Sequence, residues 1–519
     1  MFAQVWSATL VGLKGLKVAV EVDIGGGLPQ MVLVGLPSTA VQEAKERVRA
    51  AIKNSGLAMP MRKTIVNMAP ADLKKEGPSF DLPIALGVLA AADQIQPGSL
   101  ADTLFVGELS LNGDLKPVAG ILPIAAALRD MGCHKLVVPQ SNALEGAVVA
   151  GIQVFGFERL IDVVEWLNQA RQQDPIAVQP DEILRQAHRP PAGIDLSEVK
   201  GQDLARRALE VAAAGGHNLI LVGSPGAGKT MLAKRMPGIL PPLSWTEMLE
   251  ITQVYSAAGL LRQGIQMGEG VNLITERPFR APHHSASAAA LVGGGSYPKP
   301  GELSLALQGV LYLDELTEFR REVLEVLRQP LEDGVVRISR ARQSLEFPAQ
   351  CTLVASTNPC PCGFYGDPVV ACTCSPTQRD RYWSKLSGPL LDRIDLHIRV
   401  NRLKAEEIVH HQPGETSAQV RGRVIAARQR QLERFQGLEP QIRCNAQMQP
   451  AHLRQWCQLD QPSQTLLENA IRKLGLSARG SDRILKVART IADLATEDQI
   501  RPHHIAEGIQ YRSLDRSSR

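Results

Sequence analysis

Long apolar runs are missing from this 519-residue sequence. The longest, such as Pro83–Ala92, reach about ten residues, against the ~20 a membrane-crossing helix needs. Met1–Leu10 has no basic segment followed by an apolar stretch, so no export signal is expected and a cytoplasmic protein is. Aromatic residues are scarce at 4%, although the apolar content of 44% is ordinary for a globular chain. A strong charge of one sign is lacking too. The net charge of +4 permits a nucleic-acid partner without arguing for one, so such a contact must rest on local clusters. Eight cysteines in an intracellular chain of this length do not make a disulfide framework. Cys133, Cys351, Cys444 and Cys457 are scattered and read as small buried apolar residues.

The length calls for two to four domains, and the expected class is a multidomain α/β protein. In residues 1–170, strand-like stretches (Val18–Val22, Met31–Val34, Thr64–Met68, Thr103–Val106, Leu136–Val138) alternate with helical ones. Thr39 and Gln42 have capping-box spacing, and Val41, Ala44, Val48 and Ile52 then recur at helical intervals. This block reads as an α/β or α+β domain. Residues 171–193 contain Pro175, Pro180, Pro190 and Pro191 among polar residues and read as a linker. Residues 194–400 alternate strand, loop and helix in doubly wound fashion. Residues 401–519 nearly lose strand signals, and Val420–Phe435, Pro462–Leu474, Ser481–Ala495 and His503–Ser513 read as helices of an all-α domain.

The chemistry begins where the apolar strand Asn218–Val222 runs into Gly223, Ser224, Pro225, Gly226, Ala227, Gly228, Lys229 and Thr230, followed by the helical Met231–Arg235. A GxxxxGK[ST] run between a strand and a helix is a phosphate-binding loop. Its glycines let backbone N–H groups turn towards phosphates, and the helix N-terminus adds positive potential. Lys229 should reach the β- and γ-phosphates of ATP, and Thr230 should ligate Mg²⁺. Downstream, the apolar strand Val310–Leu313 ends in Asp314 and Glu315. Two acids at a strand end are costly unless they serve a cation or a water. Asp314 should help hold Mg²⁺, and Glu315 should polarise the attacking water.

Three further polar residues occur in suggestive places: Asn358 after the strand Thr352–Ser356, Arg393 in the apolar, helix-like Leu390–Asp395, and Arg479 just before a long amphipathic helix. Each alone could be a surface or capping residue. Together and in this order they resemble AAA+ ATPases. The resemblance implies that Asn358 is the first sensor, Arg393 the arginine finger supplied to a neighbour, and Arg479 the second sensor in a helical lid, with Arg483 as runner-up. Gly201-Gln202 resembles the adenine-proximal segment. A finger acting in trans requires a ring, and the family implies a homo-hexamer.

About 85 residues separate Lys229 from Asp314, more than a bare core of this kind uses. The excess holds two Gly/Pro-rich stretches, Arg277–His284 and Leu291–Gly301, expected to be flexible loops near a ring pore. His283 and His284 are a weak metal pair, since no acid is nearby in sequence. Val335–Phe347 has two strand-like arms around a basic tip with Arg340 and Arg342. It reads as either a solvated hairpin or a pore hairpin gripping a phosphate backbone by sequence-independent, salt-sensitive contacts.

These helix-2 and pre-sensor-1 insertions resemble the AAA+ branch containing magnesium chelatase and the MCM helicases. Arg277–His284, Pro300–Leu316 and Ser387–Ile398 look closer still to the ComM/YifB family of magnesium-chelatase-like proteins, and the likeness covers nearly the whole chain. Gly77–Phe80, Gly107–Gly113 and Pro117–Ile121 resemble Lon-type protease domains, whose catalytic pair is a serine and a lysine. Ser79 matches the serine, but Leu122 and Ile124 stand in the segment that should supply the lysine. Without a base, Ser79 stays a weak nucleophile. A non-proteolytic domain used in ring assembly or DNA contact is therefore expected.

Cys360, Cys362, Cys372 and Cys374 form two close pairs around a Gly/Pro-containing loop. Four thiolates in this pattern suit a structural Zn²⁺, with a redox pair or plain loop cysteines as alternatives. The basic-aromatic stretch Arg379, Arg381, Tyr382, Trp383 and Lys385 follows and could serve DNA or a subunit contact. The ComM/YifB resemblance implies an ATP-dependent DNA helicase or branch-migration motor on three-stranded and branched DNA, serving natural transformation. The alternative is a chelatase-type motor that remodels a protein partner for Mg²⁺ insertion into a porphyrin. The Lon-like domain and the cysteine cluster speak against it. The missing lysine speaks against an ATP-dependent protease.

Overall fold

The computed structural model describes residues 1–75, 77–96, 98–187, 193–261, 273–295, 298–339, 344–403, 414–438 and 442–512. The chain divides into two compact units: Met1–Ala187 with Ser244–Thr275, and His188–Leu243 with Glu276–Arg519. The return of Ser244–Thr275 to the first unit has no signal in the sequence. It brings in the Trp245–Ala258 helix, opened by a Ser244–Glu247 capping box.

The first unit is built on a seven-stranded mixed sheet. Its spatial order is Gln30–Val34, Lys63–Ala69, Lys14–Gly25, Phe2–Val11, Thr103–Phe105, Lys135–Pro139 and Gln153–Phe157. Phe2–Val11 and Lys14–Gly25 pair antiparallel along their whole length through a tight turn, whereas the last three strands run parallel. All five strands expected from the sequence are present; Phe2–Val11 and Gln153–Phe157 are additional. Val41, Ala44, Val48 and Ile52 are fully buried, as their helical spacing requires. Thr39 and Gln42, however, bound a four-residue helix of their own instead of capping the next one, Ala44–Asn54. Asp81 is buried and receives Arg47 at 2.7 and 3.0 Å together with the Leu109 amide at 3.2 Å. That network satisfies the charge and pins the segment carrying Ser79.

The second unit holds a five-stranded parallel sheet in the order Phe279–Arg280, Val310–Leu313, Thr352–Thr357, Leu219–Val222, Leu396–Arg399. The three central strands, Val310–Leu313, Thr352–Thr357 and Leu219–Val222, are buried along their whole length, as parallel strands covered by helices must be. The first strand in sequence, Leu219–Val222, therefore lies between the fourth and the fifth. Its carboxyl end opens at the point where the connections change direction, which is where ligands bind in such sheets. Helices Asp203–Gly215, Lys229–Ile239, Ser417–Arg434 and Ala478–Leu494 contribute to the same apolar core.

A second, smaller core gathers Phe435, Leu453, Ile484, Ile500 and Ile505 among the C-terminal helices. Polar bonds join these helices to the sheet. His217 lies 3.0 Å from Asp395 and 2.8 Å from Thr490, and Asp395 also pairs with Arg483. No helix among the described residues is long and apolar enough to cross a membrane.

Candidate functional site

The candidate nucleotide loop, Gly223–Thr230, is shaped by its backbone. Gly226 and Gly228 sit at φ +78° and +91°, where a side chain would strain the chain. Gly223 is needed for a different reason: a Cβ there would lie 2.2 Å from the Val400 carbonyl oxygen. The Lys229–Ile239 helix begins directly after Gly228, so its free N–H groups face the loop. Lys229 Nζ donates to the carbonyls of Gly223 (2.6 Å) and Ser224 (3.1 Å) and to Asn358 Oδ1 (3.1 Å). Burial lowers its pKa, and the charges of Asp314 and Glu315 oppose that shift.

Strand Val310–Leu313 delivers Asp314 beside Thr230, whose hydroxyl donates to Asp314 Oδ2 at 3.1 Å. Asp314 Oδ1 accepts from the Ser356 hydroxyl and, at 3.0 Å, from the Glu315 amide. Burial pushes the Asp314 pKa up, but the Ser356, Tyr312 and Thr230 hydroxyls outweigh it and hold the carboxyl below its usual range. The Tyr312 hydroxyl lies 3.1 Å from both Thr230 Oγ1 and Ser356 Oγ, and burial drives its pKa up to about 12. A hydroxyl and a carboxylate fixed 3.1 Å apart are a hard-oxygen donor set suited to Mg²⁺.

Glu315 is half exposed and sits at φ +52°, a left-handed conformation uncommon outside glycine. His284 Nδ1 lies 3.5 Å from its carboxylate, and the His283 and His284 rings stand 4.0 Å apart. The acid missing near the two histidines in sequence is thus supplied by the end of another strand. Arg277 and Arg280 also depart from the expectation of flexible loops. Arg277 donates to the carbonyls of Pro241 and Gln308 at 2.6 and 2.5 Å, and Arg280 is bidentate to Glu302 at 2.6 and 2.8 Å.

The two arginines picked from the sequence meet elsewhere. Arg393 lies in the turn after the short Gly388–Leu391 helix and is 9% exposed. Its Nε donates to the Arg328 carbonyl at 2.9 Å, Nη1 to the Pro389 carbonyl at 2.6 Å, and Nη2 to Glu332. Arg479 is the second residue of the Ala478–Leu494 helix, capped by Ser477, and its guanidinium lies 3.5 Å from the same Glu332. Neither Glu332 nor Tyr312 has a motif to mark it in sequence. The strand–hairpin expectation holds for its arms, Val335–Ser339 and Ser344–Pro348, which pair antiparallel. Arg340 and Arg342 lie outside the described residues.

The four clustered cysteines come together, with all four Sγ atoms within 4.8 Å of one another. Cys360 and Cys362 are 3.3 Å apart, and Cys372 lies 3.7 and 3.6 Å from them. Four sulfurs about 2.3 Å from one ion would be separated by similar distances, so the donor set fits Zn²⁺. The Phe364 and Thr373 amides push the Cys362 thiol towards thiolate, the form that ligates. The loop also packs on the nucleotide loop: a Cβ on Gly363 would meet Pro225 at 2.8 Å. Trp383 Nε1 donates to the Pro359 carbonyl at 3.1 Å and braces the loop from behind.

A second group, Glu497, His503 and His504, also clusters within 4.8 Å. It suits a metal poorly. The Arg501 amide donates to His504 Nδ1 at 2.9 Å, which places the ring proton on Nε2, the atom facing Glu497.

In the first unit, Ser79 lies in a short 3-10 turn, Pro78–Phe80. Leu122 and Ile124 are buried in the Ile121–Asp130 helix, and the Leu122 amide donates to the buried Glu145 at 3.0 Å. Lys75 is also fully buried, donates to the Pro70 carbonyl, and has its pKa lowered by burial.

Family comparisons agree along the chain. The model for magnesium chelatase, subunit ChlI, matches residues 195–408. A model for subunit ChlI of Mg-chelatase matches residues 20–142, and one for the ChlI C-terminal part matches 414–512. The sequence is 44% identical to competence protein ComM of Haemophilus influenzae over 518 residues, covering 99% of this chain and 98% of that protein. It is 42% identical to the YifB protein of Salmonella typhimurium over 519 residues, 99% of this chain and 97% of that one. A shorter likeness, 26% over 115 residues, links it to Lon protease 2 of Bacillus subtilis, covering 21% and 20% of the two chains.

Proposed function

The chain belongs to the ComM/YifB family of magnesium-chelatase-like AAA+ proteins, and from that premise we propose that it is a hexameric, ATP-driven motor on DNA. Its activity would be helicase or branch migration on three-stranded and branched DNA, in support of recombination during transformation. The observation carrying the motor reading is the convergence of Lys229, Thr230, Asp314 and Asn358 at one sheet end. The DNA reading draws on the competence protein ComM, similar over 99% of this chain.

Residue roles follow from that reading. Lys229 would offset the charge of the β- and γ-phosphates, and the loop amides with the helix N-terminus would orient them. Thr230 and Asp314 would hold Mg²⁺, which supplies electrostatic stabilisation of the transferring phosphoryl group. Glu315 would accept the proton of the attacking water, and Asn358 would align it. Arg393 would be the arginine finger supplied to a neighbour's site and Arg479 the second sensor in the lid, with Arg340 and Arg342 contacting the DNA backbone. Residues 1–170 would form a Lon-like, non-proteolytic domain, 194–400 the ATPase core and 401–519 its helical lid, with Zn²⁺ on Cys360, Cys362, Cys372 and Cys374.

The matches to ChlI models keep a chelatase-type motor as the second reading. ATP turnover measured with and without branched DNA separates the two. Stimulation by DNA supports the motor, and indifference to three-stranded and four-way substrates with Mg²⁺ present refutes it.

A further inference from the structure

The carboxylate shared by Arg393 and Arg479 lies in a segment that no motif marks. Glu332 sits near the end of the short Arg328–Asp333 helix, which runs through Gly334 straight into the first arm of the hairpin. Its two oxygens are divided: Oε2 receives Arg393 and Oε1 lies 3.5 Å from Arg479. The same helix supplies a second contact, the Arg328 carbonyl on Arg393 Nε. It is also tied to the hairpin, since Arg337 spans from Asp333 (3.3 Å) to Glu346 (2.9 Å) on the opposite arm. On the other side, Asp395 pairs with Arg483, one turn beyond Arg479, and with His217. The two arginines are therefore mounted on one braced frame, and Glu332 is the charge that joins this frame to the base of the hairpin.

We propose that Glu332 is a positioning residue: it holds Arg393 and Arg479 as one pair and makes their placement depend on the hairpin base. The proposal rests on the reading of Arg393 as a finger supplied to a neighbouring protomer and of Arg479 as the second sensor. Two guanidinium groups brought together repel unless a carboxylate lies between them. A guanidinium as buried as that of Arg393 is costly to hold with carbonyls alone. Glutamine in place of Glu332 keeps the shape but removes the charge and one acceptor. Aspartate keeps both acceptors on a shorter stem.

The test uses the full chain with Glu332→Gln and Glu332→Asp, alone and in mixed assemblies. Glu332→Gln should still fold and assemble, with a modest loss of stability, because Glu332 itself is half exposed and the two carbonyls on Arg393 remain. It should lose about tenfold or more in kcat while the ATP KM moves little, because the interaction removed serves the transition state. Glu332→Asp should recover part of the loss. Mixing Glu332→Gln with Lys229→Ala should restore part of the turnover, since one protomer brings an intact nucleotide loop and the other a placed finger. Mixing it with Arg393→Ala should not, because both lack a placed finger. Wild-type turnover by Glu332→Gln, while Arg393→Ala is inactive, overturns the proposal and leaves the arginine reading standing. If Arg393→Ala and Lys229→Ala fail to complement each other in confirmed rings, the arginine reading itself falls, and the proposal with it.

Discussion

Lys229 Nζ lies 3.1 Å from Asn358 Oδ1, so the lysine of the nucleotide loop is bonded to the end of the adjacent strand. An ammonium has three donors, and the carbonyls of Gly223 and Ser224 take the others. Phosphate oxygens would have to displace those neutral acceptors, and as charge-assisted partners they can. Asn358 would then be released to hold a water. Asn358→Ala is therefore expected to bind ATP nearly as tightly as wild type but to hydrolyse it slowly. Equal loss of binding and turnover would show that Asn358 only positions the lysine.

Lys229→Ala should abolish binding of a fluorescent ATP analogue, because the phosphates lose their main cationic partner. Glu315→Gln should retain that binding and lose turnover. His284 stands 3.5 Å from Glu315 and approaches the carboxylate from a different segment. His284→Ala should lower kcat by about an order of magnitude with little change in KM, as expected for a group that orients the base. Normal turnover by Glu315→Gln would remove Glu315 from its role.

The candidate nucleotide site can be read from the sequence because its parts are local. A glycine-rich run between strand and helix, and two acids at a strand end, each show their chemistry within a few residues. Strand periodicity likewise placed Lys14–Gly25 and Lys63–Ala69 approximately, though not their full lengths. What stayed hidden was contact between distant segments. His284 meets Glu315 and Glu332 meets Arg393 only through tertiary packing, and no local pattern encodes such meetings. The apolar neighbours of Arg393 suggest a helix. Those neighbours instead fill the core around a tight turn, and the guanidinium caps carbonyls. The return of Ser244–Thr275 to the first unit was equally invisible, since Ser256 bonds Glu145 across 111 positions.

Metal analysis of protein purified without chelators should find about one zinc per chain, the complement of a single four-thiolate site. Replacing Cys360 and Cys374 with Ser should release it. Because Gly363 packs against Pro225, release should also weaken ATP binding by loosening the nucleotide loop. Zinc-free protein with normal ATP affinity would refute both the metal and its structural consequence.

Acid should destabilise the second unit before its carboxylates titrate. His397 is buried in the edge strand, and burial, with the Arg512 charge beside it, lowers its pKa to about 3. Below about pH 6.5 the unfolded chain binds a proton that the folded chain refuses, so stability falls as pH drops from there towards 3. Between pH 6.5 and 5 this residue alone should cost about 1.6 kcal/mol. Denaturant unfolding across that interval should show the loss, and His397→Gln should have a shallower slope. A slope unchanged by the substitution would show that His397 is not the group responsible.

The hairpin is the first place to test for a DNA grip. Its arms are held by five paired positions and by Arg337 bonded to Glu346 across the strands. Branched or single-stranded DNA should stimulate ATP hydrolysis. Changing Arg340 and Arg342 together to Ala should remove that stimulation and leave basal turnover near wild type, because the nucleotide site is assembled from other residues. DNA affinity should fall steeply with salt, since each neutralised phosphate releases counterions, and the double variant should show a shallower dependence. Stimulation that survives in the double variant would keep the motor and move its grip to another surface, such as the Arg379–Lys385 stretch. A turnover rate that ignores every DNA substrate and responds only to a protein partner would instead favour the chelatase-type reading, in which the same ATP site remodels a protein.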